Sequence, residues 1–128
     1  MRGPFLCSDE PDIIVPDNYA PTLNAGDAGV FYDNQDADDI WFFEAEVNDA
    51  DGLSDIVGVW ADVYDEGRGG VLVESFELFP TDDPYVWYSD WLGATTLLNP
   101  FYPSYTVDLV VYDTYEDMDY LTITPLTY

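Results

Sequence analysis

A chain of 128 residues with 27 acids, two basic side chains and no histidine carries a formal charge of −25 at pH 7. Nothing in it neutralises phosphate, so nucleic acid and anionic membranes are not expected partners; cations, high salt and basic protein surfaces are favoured. Its 48% hydrophobic and 17% aromatic content suffices for the core of one domain, so the charge does not imply disorder.

Residues 1–27 hold Pro11, Pro16 and Pro21 without lasting periodicity and read as an extended N-terminal arm, with short edge pairing at Ile13–Val15 and Leu23. Cys7 is the single cysteine, so no intrachain disulfide is possible. The apolar run before it is too short for a signal peptide, and a lipid anchor at Cys7 is not expected.

Residues 28–128 are punctuated by turn signals at the spacing of a β-sandwich. The first strand is Gly29–Tyr32. The second, Ile40–Val47, sets Trp41, Phe43, Ala45 and Val47 on one face and Glu44 and Glu46 on the other. The third, Ile56–Tyr64, turns Val57, Val59, Ala61 and Val63 inward. The fourth is Val71–Phe79. The fifth is a long or broken strand over Tyr85–Leu98 with a bend at Gly93. The sixth, Ser104–Tyr112, aligns Tyr105, Val107, Leu109 and Val111, and Tyr120–Leu126 closes the set. The expected fold is an all-β antiparallel sandwich of about seven strands, with no apolar run of membrane-span length.

The stretch "AEVNDADGLSDIVGVWADV" spaces Val47, Asp49, Gly52, Ile56 and Val59 across the second and third strands, and "YTVDLVVYD" spaces Tyr105, Val107, Leu109, Val111 and Asp113 in the sixth. In these positions residues 29–126 resemble the immunoglobulin-like, fibronectin type III-like and cadherin-like sandwich modules of bacterial and archaeal surface proteins. The resemblance implies an Ig-like sandwich on a cell or virion surface, serving adhesion, assembly or display with other protein subunits. The cysteine pair of antibody-type domains is missing, and a fold resemblance alone leaves function open. An Asp-rich, Lys-free surface also suits a salty habitat.

Without His or Lys, triads, Schiff bases and imidazole shuttles are absent, and no zinc site is expected. Some carboxylate pair at any chosen spacing arises by chance among 27 acids, so such a pair is no sign of a glycosidase. The expectation is a protein that is not an enzyme.

Calcium is the cation the residues suit. The loops after the second and sixth strands, Asn48–Asp55 and Asp113–Asp119, are expected at one pole. They gather Asp49, Asp51, Asp55, Asp113 and Asp117, with Glu116 and Asp119 beside them, and calcium takes hard oxygen ligands of this kind. The competing reading makes "NDADG" a solvated turn, in which Gly52 supplies the backbone conformation and Asn48 or Asp49 bonds the loop backbone. A second acidic stretch, Asp33–Asp39, is expected at the opposite pole and fails the EF-hand pattern.

Trp41 reads as core, while Trp60, Tyr64, Trp87 and Trp91 read as an outward binding stripe. Such a stripe suits a protein interface or, alternatively, a carbohydrate platform. A further alternative is an acidic mimic of DNA that blocks a nucleic-acid-binding protein.

Overall fold

The computed structural model describes residues 19–128. Cys7 and the pairing expected of Ile13–Val15 lie outside the described residues. Eight strands are present among the described residues: β1 Thr22–Asp33, β2 Asp38–Asn48, β3 Ile56–Asp65, β4 Val71–Pro80, β5 Val86–Leu92, β6 Tyr105–Asp113, β7 Met118–Ile123 and β8 Leu126–Thr127. Helical structure among the described residues is confined to short 3-10 turns at Leu53–Asp55, Glu66–Arg68 and Gly93–Thr95. The all-β class expected from alternation is therefore the class observed.

The strands form one mixed sheet in the order β7-β6-β3-β4-β5-β2-β1-β8, curled into a half-barrel. β4 meets β5 only at Phe79↔Tyr88 and Pro80↔Trp87. Two halves meet at this seam, β8-β1-β2-β5 on one side and β7-β6-β3-β4 on the other. The C-terminal segment links the far ends of the sheet. Its first part, β7, pairs with β6, and beyond Pro125, which has no N–H to donate, β8 pairs with β1 in parallel. Asp119 in β7 adds a tie, its Oδ2 accepting from the Leu23 N–H at 2.8 Å.

Alternation explains the core. Phe43, Val47, Val59, Val63, Leu78, Val107, Leu109 and Val111 are fully buried where their strands face inward. Phe43 stacks on Phe76 at 4.9 Å across the two halves, and Trp41 meets Tyr105 edge-on at 6.0 Å. Each such side chain contributes about 1.5–3 kcal/mol by leaving water, and cutting Phe43 back to Ala costs about 3–5 kcal/mol.

The structure alters four details of the expected strands. β1 begins at Thr22, so the arm boundary drawn at residue 27 falls inside a strand. The ladder between β3 and β6 shifts between Ile56 and Gly58. This irregularity buries Ile56 and leaves Val57 60% exposed, where strict alternation turned Val57 inward. Gly93 opens a 3-10 turn that ends β5 instead of bending a longer strand. The parallel β8 makes eight strands instead of about seven, and the sheet is mixed rather than wholly antiparallel.

Candidate metal centre

The acidic pole is assembled by strand pairing. β6 lies against β3, and Ile56 at the start of β3 is opposite Asp113 at the end of β6. The β2–β3 loop and the β6–β7 loop therefore emerge side by side. Thr114 N–H donates to the Asp55 carbonyl at 3.0 Å, and the Thr114 hydroxyl donates to Asp55 Oδ1.

Each loop is first a turn held by its own acids. Asn48 Oδ1 accepts from Asp49 N–H at 2.9 Å, and Asp49 Oδ1 accepts from Asp51 N–H at 2.8 Å. Gly52 has φ of +109°, a conformation that L side chains rarely adopt. The turn reading of "NDADG" thus describes the backbone. In the second loop Asp113 Oδ1 accepts from the N–H groups of Tyr115 and Asp117, both at 2.9 Å.

These turns leave three carboxylates facing a common space. Ligand atoms of Asp49, Asp55 and Asp113 lie within 4.8 Å of one another. Asp49 is 4% exposed and Asp113 1%, while Asp55 is half-buried. Oδ2 of Asp49 and Oδ2 of Asp55 are buried with no hydrogen-bond partner. A buried anion without a donor is costly. Burial accordingly pushes the Asp49 carboxyl above its ordinary value; the Asp51 N–H opposes this, and the charges of Asp55, Asp51 and Asp113 add to it. Among the described residues the only basic side chain is Arg68, and it pairs with Asp65 at 3.6 Å. The arrangement can hold a metal ion: carboxylate oxygens bind a hard cation at about 2.3–2.6 Å, so ligands on opposite sides of one ion sit roughly twice that apart.

Three of the five acids expected as ligands, Asp49, Asp55 and Asp113, come together. The carboxylates of Asp51 and Asp117 are not in the cluster. Asp51 Oδ2 accepts from Tyr19 N–H at 2.8 Å and so holds the incoming chain. Asp117 N–H donates to Asp113 Oδ1, and the Asp117 carbonyl accepts from Asp113 N–H. At the opposite pole, Asp33 Oδ1 accepts from Gln35 N–H, and both oxygens of Asp38 are used, by Asp39 N–H and Ala94 N–H.

Of the four aromatics read as a binding stripe, Trp60 is 36% exposed and Tyr64 half-buried. Trp87 and Trp91 pack half-buried against the core. They lie opposite Ala45 and Trp41 of β2, which point inward, so the same face of β5 points inward too. Trp91 Nε1–H donates to the buried Ser89 hydroxyl at 3.0 Å. A different aromatic group, Phe31, Phe42, Tyr88 and Tyr128, has its rings gathered around Phe42, which was not among the expected binding residues. The signal was the position of Phe42 between inward Trp41 and Phe43, which alternation turns outward.

Comparison with family models, curated proteins and solved structures returned no match. The functional reading therefore rests on the chemistry of the sites.

Proposed function

We propose that this protein is a non-enzymatic, calcium-binding β module that works in adhesion, assembly or display at a cell or virion surface. The observation that carries the reading is the buried, partnerless Oδ2 of Asp49 among the carboxylates of Asp55 and Asp113. The donors are all oxygen, which suits a hard cation and not zinc. Calcium is favoured over magnesium because it accepts irregular, flexible geometry, whereas magnesium demands a near-ideal octahedron and keeps most of its water. Three carboxylates supply fewer than the six to eight oxygens that calcium takes, so backbone carbonyls or water would complete the shell. The surface location draws its support from the charge of −25 and from the resemblance to prokaryotic surface modules.

Isothermal titration with calcium and magnesium is the test. One calcium per chain is expected, with weaker magnesium binding, and Asp49→Asn together with Asp113→Asn abolishes the calcium signal. Calcium binding that survives in this variant overturns the site.

A further inference from the structure

The outer face of the β8-β1-β2-β5 half carries a second feature. Phe42 stands opposite Gly29 of β1 and Asp90 of β5, and Gly29 stands opposite Leu126 of β8. Around Phe42 lie Tyr88, nearly parallel at 6.4 Å and 18°, Tyr128 at 5.8 Å and Phe31 at 6.1 Å. A Cβ at Gly29 would meet the Tyr128 and Phe42 rings at 2.6 and 2.9 Å, so a glycine there is what lets them close over the strand. At the edge of the group Phe31 is 37% and Tyr128 65% exposed, and Phe42 and Tyr88 between them are half-buried.

Next to the rings is a shallow cavity of about 170 Å³ lined by Ala25, Gly26, Asp27, Glu44, Glu46 and Val86. It is smaller than the roughly 300–1,000 Å³ of small-molecule sites and suits a single side chain. Asp27 sits directly across from Glu44, and Glu44 directly across from Tyr88. Like charges opposed across a ladder destabilise a sheet. The one described basic residue, Arg68, is in the turn after β3 and engaged by Asp65. Tyr88 O–H donates to Asp90 Oδ2 at 3.2 Å, and burial, with the charges of Asp90 and Glu44, pushes its phenol up to about 12, so it stays a neutral donor.

We propose that this face docks an arginine-bearing peptide segment of a protein partner, the guanidinium lying against the Phe42–Tyr88 rings and its charge answered by Asp27, Glu44 and Glu46. Arg stacks on aromatic faces and forks to carboxylates, so one side chain answers both halves of the site. A sugar would stack on the rings and leave the three carboxylates unrelieved. The inference names the partner chemistry of the module proposed above and does not require calcium.

The test is fluorescence anisotropy of the full chain with a labelled Gly/Ser peptide carrying two arginines, at physiological salt, with and without calcium. Saturable binding is expected in both conditions. Phe42→Ala and, separately, Glu44→Gln each weaken it about tenfold, a change of about 1.4 kcal/mol. The Arg→Lys peptide binds more weakly. Glu77→Gln, on an exposed position of β4 in the other half, leaves affinity within about twofold. Equal weakening by Glu77→Gln identifies diffuse attraction to an acidic protein and overturns the proposal. So does a neutral glycan that binds in an Phe42-dependent way while the peptide does not. Glu44→Gln keeps the test decisive if Phe42→Ala fails to fold. Loss of peptide binding in a protein that still titrates one calcium sinks this inference alone; the reverse result sinks the calcium site alone.

Discussion

The two poles of the half-barrel are both rich in Asp and use it in opposite ways. At the tip of the β1–β2 hairpin the Asp33 and Asp38 carboxylates accept backbone N–H groups, and Asp38 has a donor for each oxygen. At the other pole Asp49 and Asp55 each keep a buried oxygen with no donor. The hairpin tip is local, so Asp33 and Asp38 find backbone donors in their own turn and in the adjoining 3-10 turn at Gly93–Thr95. The other pole joins the β2–β3 crossover, which links the two halves, to the loop of the β6–β7 hairpin. Each loop's turn uses some oxygens, and the pairing of β3 with β6 then brings a third carboxylate into the space that remains. Density of acids does not mark a cation site; burial without a donor does.

Calcium is expected to separate the two poles most clearly. At a concentration a hundredfold above its Kd the ion is expected to stabilise the protein by about 2.7 kcal/mol. Asp49→Asn with Asp113→Asn removes that increment, while Asp33→Asn with Asp36→Asn at the hairpin tip keeps it. Urea melts of the three proteins with calcium and with a chelator give the answer, and equal losses from both pairs would show that the ion merely screens charge.

A smaller effect isolates the turn from the site. Gly52 occupies a backbone region that is essentially reserved for glycine, so Gly52→Ala is expected to cost about 2 kcal/mol with or without calcium. A variant as stable as the parent in chelator would show that the loop relaxes and that the conformation is not required.

At the other pole, Asp38→Ala strips the acceptor from two backbone donors, Asp39 N–H and Ala94 N–H. The expected loss is about 1 kcal/mol, the same in calcium and in chelator. A loss that grows when calcium is present would place an ion at this pole and make the two poles alike.

The smallest effect is the pH dependence of Asp49. Its folded value lies above the ordinary carboxylate value, so the folded chain holds the proton more tightly than the unfolded chain. The resulting stability is fully present below the ordinary value and is lost as pH rises through the raised one. Relative to Asp49→Asn, the metal-free parent should therefore gain stability on acidification from neutral pH. Calcium-dependent stability moves the other way, since a protonated Asp49 is a poor ligand. Urea midpoints for parent and variant at neutral and mildly acidic pH check both signs; a parent–variant difference that does not move with pH removes the buried-carboxylate account of the cluster.

Features that repeat locally were legible in the order of the residues. Alternation set the inward faces of β2 and β6, with Phe43, Val47, Val107, Leu109 and Val111 buried as expected. Turn chemistry set Gly52 and the Asn48 and Asp49 caps, and strand count with loop position put Asp49, Asp55 and Asp113 at one pole. Long-range packing set direction. It turned Asp51 toward Tyr19 and left the Asp117 carboxylate outside the cluster. It shifted the ladder at Val57, drew Trp87 and Trp91 inward opposite β2, and carried β8 across to β1. Side-chain period is a property of one strand, readable over a few residues. Which face meets the core, and which carboxylate meets another, depends on partners far along the chain, and those are fixed only when the sheet curls and its ends are joined.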